Sequence, residues 1–104
     1  MRFAILTPSY GYGRFMADGV QSVLMQARVD VEQVVMDGGS NDETVPHLES
    51  LSGDPRLLWT SEADEGQSHA LTKAFSRATG DWIVWQNADE FYLPGVLARV
   101  AAAI

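Results

Sequence analysis

The 104-residue chain has no cysteine, only two histidines and only seven basic residues. Without cysteine it can form no disulfide, no thiolate nucleophile and no cysteine-ligated zinc or iron–sulfur centre, and the absence is compatible with a reducing compartment. His47 and His69 alone cannot build a zinc site. Long hydrophobic runs are also missing, because runs such as Trp82 to Trp85 are far shorter than the roughly 20 residues of a transmembrane helix.

The first residues do not have the pattern of a signal peptide. The run from Arg2 to Leu6 is short and leads straight into Thr7 and Pro8, without the apolar region and cleavage site that such a peptide carries. We therefore expect a soluble, cytoplasmic protein with no transmembrane segment.

Acidic residues outnumber basic ones by 14 to 7, which gives a formal charge of −7. This charge repels phosphate backbones and anionic lipids at long range, so we expect no nucleic-acid partner. An acidic protein can still bind a diphosphate when a divalent cation lies between the two negative groups. The charge balance therefore favours a metal-assisted site over a clamp of arginines and lysines.

Apolar runs alternate with helix-type spacing of apolar residues along the whole chain. The runs are Phe3–Leu6, Val34–Met36, Leu57–Trp59 and Trp82–Trp85, and each is followed by a helical stripe. Four β-then-α units predict a three-layer, Rossmann-like α/β fold, in which helices flank a mostly parallel sheet of about four strands. At this length we expect a single domain, residues 1–104.

Three local predictions are more specific. Trp82–Trp85 is apolar at successive positions, as expected for a central strand covered on both faces. Ser40 and Glu43 have the spacing of a capping box at a helix start. Phe75 is expected to point inward from the third helix.

Each predicted strand ends in a polar cluster. The clusters are Thr7-Pro8-Ser9, Asp37-Gly38-Gly39, Ser61-Glu62 with Asp64, and Asn87-Ala88-Asp89-Glu90. In open α/β sheets ligands bind beyond the carboxyl ends of the strands, so four clusters at one edge outline one site. Turns favour the same residue types, which leaves an ordinary structural explanation for any single cluster.

Two clusters contain acids with a candidate chemical role. Asp89 and Glu90 are adjacent carboxylates whose repulsion a divalent cation would compensate, and Mg²⁺ or Mn²⁺ binds one or two protein carboxylates together with phosphate oxygens. Alternatively, Asp89 caps a turn and Glu90 is solvated. Asp37 could accept a base N–H or a ribose hydroxyl, or it could only hold the glycine turn that follows it.

Other nucleotide-binding and hydrolytic motifs are weak. Gly11-Tyr12-Gly13 begins a dinucleotide fingerprint, but Met16 stands where the third glycine belongs, and no P-loop is present. The serines lack the surroundings of a nucleophile elbow, so no catalytic triad can be assembled with the two histidines. We expect His47 and His69 to be ordinary surface residues.

Four sequence motifs follow one another along the chain: ILTPSY (5–10), VMDGGSNDET (35–44), EADEGQS (62–68) and WQNADEFYLP (85–94). Together they resemble the family 2 glycosyltransferases of the GT-A fold over almost the whole chain. The resemblance implies inverting transfer of a sugar from a nucleoside diphosphate, commonly a uridine one, to a hydroxyl of a saccharide or lipid-linked acceptor.

The resemblance also implies the residues of the site. The nucleotide-binding residues would be Thr7, Pro8, Ser9, Tyr10, Asp37, Gly38, Asp64, Gln67, Asn87 and Ala88. Asp89 takes the place of the last acid in the family's Asp-x-Asp-type motif and would bind Mn²⁺ or Mg²⁺, which stabilises the leaving diphosphate. Glu90 is the weaker candidate for a metal ligand. The sequence departs from the family pattern at Ala88, Glu90 and Gly11, which bears on donor preference.

Members of this family continue past the acidic motif into a half that binds the acceptor and supplies the carboxylate general base. We expect this acceptor half, and therefore the base, to lie outside the 104 residues, with the full-length protein peripheral to the inner face of the membrane. An uncovered sheet flank then favours self-association. Two alternatives remain open, a stand-alone nucleotide-binding or interaction module without transferase activity and a nucleotidyltransferase-like domain.

Overall fold

Strands and helices alternate along the chain in four repeated units. A computed structural model describes residues 2–11, 13–26, 29–86, 92 and 95–103, without the side chains of residues 14, 15 and 17, and all structural statements below concern these residues. The elements are β1 (Arg2–Ser9), α1 (Gly13–Leu24), β2 (Asp30–Asp37), α2 (Thr44–Leu51), β3 (Leu57–Ser61), α3 (Gln67–Arg77), β4 (Trp82–Trp85) and α4 (Val96–Ala103). None of the helices in the described ranges is long and apolar enough to cross a membrane.

The four strands form one parallel sheet in the order β3-β2-β1-β4. Successive side chains of a strand point to opposite faces of a sheet, so each strand supplies residues to both helical layers. On one face, Ala70 and Ala74 of α3 pack on the sheet. On the other, Met16 of α1 and Leu48 of α2 pack together, and Leu97 of α4 joins a neighbouring cluster. The predicted three-layer α/β fold is confirmed.

The central strands β1 and β2 are buried from their second residue to their last. Both are covered on both faces, which explains the apolar runs Phe3–Leu6 in β1 and Val34–Met36 in β2. Their register pairs Arg2 with Asp30 and Ser9 with Asp37. The two strands therefore end at the same level, and this alignment defines the carboxyl edge of the sheet.

The prediction that Trp82–Trp85 is a central strand is wrong. Within the described residues β4 pairs with β1 alone and forms one edge of the sheet. Trp82, Ile83 and Trp85 are 45%, 43% and 54% exposed. Ile83 and Trp85 lie on the face that carries α3, and this helix lies mainly over β1 and β2. An apolar run shows what a strand is able to bury, whereas the helices packed against it decide what is covered.

The inward orientation predicted for Phe75 is also wrong, since its side chain is 63% exposed. The buried face of α3 consists of Ala70 and Ala74. These small side chains let the helix lie close to the sheet, and Phe75 is turned about 100° away from Ala74 around the helix axis.

The capping box predicted at Ser40 does not form. Helix α2 begins at Thr44, and its N-cap is Glu43, which makes no capping hydrogen bond with its side chain. Instead, Asp42 Oδ1 accepts hydrogen bonds from the backbone N–H and the hydroxyl of Thr44, at 2.9 and 2.6 Å. Ser40 is bound to Asp37, and this contact belongs to the site described next.

Candidate functional site

The carboxyl ends of three strands meet in one row. Ser9 of β1 lies beside Asp37 of β2, and Asp37 lies beside Ser61 of β3. Two further backbone hydrogen bonds extend the row, from Gly38 N to Ser9 O at 2.8 Å and from Glu62 N to Asp37 O at 2.9 Å. The sheet therefore brings together three of the four polar clusters that the sequence singles out.

The Asp37 carboxylate organises the turn that follows β2. The residue is 1% exposed. Its Oδ2 accepts hydrogen bonds from Gly39 N at 3.1 Å, Ser40 N at 2.7 Å and Ser61 Oγ at 2.7 Å, and its Oδ1 accepts one from Ser40 Oγ at 2.7 Å. Four donors to one carboxylate fix both the turn and the end of β3. Contact between Asp37 and a base or ribose stays a prediction, and any such contact would share a carboxylate that is already engaged.

Tyr10, Gly38 and Asp64 come together on the outer side of this turn. A Cβ added at Gly38 would lie 3.2 Å from both carboxylate oxygens of Asp64 and 3.3 Å from Tyr10 Cδ1. Position 38 therefore favours glycine, because the Tyr10 ring and the Asp64 carboxylate both lie close against its backbone. Tyr10 is 69% exposed, and Asp64 is half-buried, so both remain accessible to a ligand.

The first predicted cluster, Thr7-Pro8-Ser9, lies buried at the carboxyl edge of the sheet. The Thr7 hydroxyl contacts two glutamine side chains inside the sheet, and the buried Ser9 Oγ has no hydrogen-bond partner among the described residues. An unpaired buried hydroxyl is costly, which marks Ser9 as a group that a ligand could satisfy.

The loop before α3 is held by its own side chains. Asp64 Oδ1 accepts a hydrogen bond from Gly66 N at 2.9 Å, and His69 Nδ1 accepts one from Glu65 N at 2.9 Å. Gly66 has a φ of 113°, which favours glycine. His69 therefore has a structural role in the loop, and Gln67 is exposed at the first residue of α3.

Gly11 in the β1–α1 loop and Gly13 at the start of α1 contact the segment that follows β2. Gly11 N donates to Ser40 Oγ at 2.8 Å, and Gly13 N donates to Asp42 Oδ2 at 3.2 Å. A Cβ at Gly13 would lie 2.6 Å from the backbone nitrogen of Thr44, so only glycine fits. The Thr44 hydroxyl that donates to Asp42 also lowers the pKa of that carboxyl. The loops after β1 and β2 are thereby tied together.

Charged groups at the β3 end of the edge are paired. Lys73 Nζ lies 3.0 Å from Glu62 Oε1, and this contact lowers the pKa of Glu62. Arg77 donates to the Thr60 hydroxyl. Because these basic groups are already engaged, the carboxylates of Asp37 and Asp64 give the edge a local excess of negative charge.

The fourth cluster, Asn87-Ala88-Asp89-Glu90, lies outside the described residues. Gln86, directly before it, is 2% exposed and continues the pairing of β4 through a hydrogen bond from its N–H to Leu6 O at 3.0 Å. In the part of the chain that the structure describes, no group of three or more acidic or histidine side chains could hold a metal ion. The assignment of Asp89 and Glu90 to a metal therefore stays a prediction.

Sequence reasoning missed Gln33, and it did not predict that Ser40 and Ser61 contact Asp37. Both serines bind the Asp37 carboxylate. Ser40 stands four residues and Ser61 two residues after an apolar run, where a turn residue is expected anyway. Gln33 is fully buried, and the buried Glu32 lies next to it in the strand. The polar pair Glu32-Gln33 between Val31 and the apolar run Val34–Met36 was the available signal.

Comparison with known proteins identifies the family. The model of the family described as "Glycosyl transferase family 2" matches residues 4–104. An uncharacterized glycosyltransferase of Nostoc sp. is 29% identical over 103 residues, covering 96% of this chain and 32% of that protein. A PGL/p-HBAD biosynthesis glycosyltransferase of Mycobacterium bovis is 32% identical over 105 residues, covering 98% of this chain and 41% of that protein.

Solved structures agree with the fold. S. aureus TarS in complex with UDP-GlcNAc has a TM-score of 0.84 at 22% identity, covering 99% of this chain and 30% of that one. The mannosyltransferase PcManGT from Pyrobaculum calidifontis in complex with GDP-Man and Mn²⁺ has a TM-score of 0.84 at 24% identity, covering 96% and 31%. The chain thus spans about a third to two-fifths of the length of these relatives. On the strength of the family match over nearly all its residues, the chain belongs to glycosyl transferase family 2.

Proposed function

We propose that this chain is the donor-binding part of a glycosyltransferase that transfers a sugar, with inversion, from a uridine diphosphate donor to an acceptor hydroxyl. The observation that carries the proposal is the group formed by Tyr10, Gly38 and Asp64, in which an exposed aromatic ring and a carboxylate lie together at the carboxyl edge of a parallel sheet. Ligands of open α/β sheets bind at this edge. The family match and the complexes of TarS with UDP-GlcNAc and of PcManGT with GDP-Man support a nucleotide-sugar donor.

The group formed by Tyr10, Gly38 and Asp64 has the chemistry of a site for a planar base. The exposed Tyr10 ring offers a stacking surface, and Gly38 lets the ligand approach the backbone. The Asp64 carboxylate only accepts hydrogen bonds, which suits a base N–H. In this arrangement Asp37 acts indirectly, because it holds the turn that carries Gly38. The unpaired Ser9 hydroxyl is a further donor for the ligand.

The oxygen ligands that the chain offers suit a divalent cation bound to the diphosphate. Asp89 supplies a hard oxygen ligand of the kind that Mn²⁺ and Mg²⁺ prefer, with Glu90 as the weaker candidate. Asp37 and Asp64 make the described edge acidic, and its basic Lys73 is already paired with Glu62, so a bound diphosphate needs a counter-charge. When bound, the cation would neutralise charge on the leaving diphosphate. The general base, the acceptor and its binding half are proposed to lie outside these 104 residues.

The experiment is calorimetric titration of uridine diphosphate, with and without Mn²⁺, into the parent chain and into Asp89→Ala and Tyr10→Ala. Asp89→Ala should abolish the gain in affinity that Mn²⁺ gives the parent. Tyr10→Ala should weaken binding about 5- to 150-fold both with and without the metal, because base stacking on an aromatic ring is worth about 1–3 kcal/mol.

Glu43→Ala serves as the control, since this exposed residue lies next to the loops and is not part of the group formed by Tyr10, Gly38 and Asp64. Metal-dependent binding that survives Asp89→Ala would overturn the assignment of Asp89. Binding that is insensitive to Tyr10→Ala would place the base elsewhere.

A further inference from the structure

A buried polar network crosses the interior of the sheet just below the carboxyl edge. Gln33 Nε2 on β2 donates to Thr7 Oγ1 on β1 at 3.1 Å and to Gln86 Oε1 at 3.1 Å, and the Thr7 hydroxyl donates to the same Gln86 oxygen at 3.4 Å. Gln33, Thr7 and Gln86 are 0%, 2% and 2% exposed. The network therefore joins three adjacent strands through their side chains.

The reach of Gln33 is what makes the connection. Strand β1 separates β2 from β4, so the two backbones are about 9–10 Å apart, twice the spacing of neighbouring strands. A shorter amide on β2 would not extend to Gln86. Both hydrogens of the Gln33 amide are committed, one to the strand between and one to the residue that ends the β4 pairing.

The network is not explained by stability alone. The same face of the sheet is otherwise filled by Phe3, Ile5 and Val31, and apolar side chains there would need no partners. Gln33 Oε1 is buried and has no hydrogen-bond partner among the described residues, which is a cost that an apolar residue would avoid. A buried polar network that leaves an acceptor unpaired is better explained by the position that it fixes.

The fixed position is the point at which the chain leaves β4. Gln86 is held by its backbone to Leu6 and by its side chain to Gln33 and Thr7. The next residues in sequence are Asn87 to Glu90. Since these residues begin directly after Gln86, its placement sets where they start relative to the edge.

We propose that Gln33 is a positioning residue for the metal-binding acid: through Gln86 it sets where the segment that carries Asp89 leaves the sheet. This inference rests on the proposed function for its consequence in ligand binding. Gln33 touches neither nucleotide nor metal in this scheme and acts only through Gln86.

The test uses Gln33→Met, which keeps the length of the side chain and removes both donors, and the double variant Gln33→Met/Gln86→Met. Val31→Ala is the control, because Val31 is buried on the same face of β2 outside the network. Hydrogen exchange of the backbone amides of residues 87–90 is measured without ligand, and affinity for uridine diphosphate is measured with and without Mn²⁺.

In Gln33→Met, exchange at residues 87–90 should be faster than in Val31→Ala, and the gain in affinity from Mn²⁺ should fall about tenfold, in the range found for residues that orient metal ligands. Metal-free affinity should stay within twofold of the parent. In the double variant both polar groups are gone, so thermal stability should recover while the exchange and the lost metal effect should not.

Recovery of all three quantities together in the double variant would overturn the proposal, because the network would then be purely structural. Unchanged exchange in Gln33→Met would also overturn it, whatever the ligand data. A parent chain whose nucleotide binding ignores Mn²⁺ would instead contradict the proposed metal site, and the exchange measurement would still decide the role of Gln33.

Discussion

Gly13 lies where the β1–α1 loop meets the start of α2. Its Cα faces the backbone nitrogen of Thr44 so closely that an added Cβ would lie 2.6 Å away, with Glu43 Cγ at 2.8 Å. Backbone cannot move aside as a flexible side chain can. Two loops at the candidate site are therefore in contact only because position 13 has no side chain.

Gly13→Ala should lower the free energy of unfolding by about 1–3 kcal/mol, the usual cost of forcing extra atoms into a packed region. Urea denaturation followed by tryptophan fluorescence measures this. Gly53→Ala is the matched control: a Cβ there meets nothing within 4 Å, so the substitution should be neutral or stabilise by up to about 1 kcal/mol. Equal effects at both positions would contradict the packing argument.

The residue scale also shows how a sequence prediction can name the right residue and miss its contacts. Asp37 is identifiable from the acid that precedes two glycines after an apolar run. That its carboxylate is closed in by Ser40 and Ser61 could not be predicted, because Ser61 is 24 positions away along the chain. Only the pairing of β2 with β3 brings it near.

At the scale of elements, the turn from α2 into β3 is held by one ion pair. Asp54 Oδ1 accepts hydrogen bonds from the backbone N–H and Nε of Arg56, and its Oδ2 lies 2.7 Å from Arg56 Nη2. The side-chain hydrogen bonds from Arg56 lower the pKa of Asp54 from 3.8 to about 2. A carboxyl group whose pKa is lower in the folded state than in the unfolded chain stabilises the folded state at pH values above its ordinary pKa. This contribution is lost as the pH falls towards 2.

Asp54→Asn should therefore destabilise the protein at neutral pH and have little effect below the pKa of about 2. The pair is partly exposed, so the loss at pH 7 should not exceed about 1 kcal/mol. Urea titrations of parent and variant across this pH range measure the difference. Its persistence in an Arg56→Met background would show that the pair is not its source.

Periodicity predicted the number and order of the elements because each strand and helix carries its own local pattern. It failed for Phe75 and for the start of α2. On α3 several apolar faces compete, and the contact with the sheet went to the small residues Ala70 and Ala74. At α2 the competing partner was Asp37, which binds Ser40 and so removes it from the capping role.

At the scale of the whole molecule, β4 leaves an apolar flank at the edge of the sheet. Trp82, Ile83 and Trp85 are each more than 40% exposed, and Phe75 of the α3 helix is 63% exposed. An edge strand with exposed aromatic residues can pair with another chain. The net charge of −7 opposes close approach, so association should be weak and should strengthen with salt.

We expect light scattering to show a molecular mass that rises with concentration for the parent chain. Trp82→Lys/Trp85→Lys should keep it monomeric, because lysines on an edge strand prevent strand pairing. Met25→Lys is the control, since Met25 is 77% exposed and lies outside β4 and α3. A parent that stays monomeric at every concentration and at high salt would refute this prediction.

The sequence by itself determined the α/β class, the order of the elements, the carboxyl edge as the place of the polar clusters, and the family. These properties depend on local patterns and on motifs that are contiguous in the chain. Tertiary structure decided which strand forms the edge, which carboxylate is enclosed and which is open, and that Gln33 reaches Gln86 across a third strand. Those outcomes depend on contacts between residues far apart in sequence, whose partners are set only when the sheet pairs and the helices pack on it.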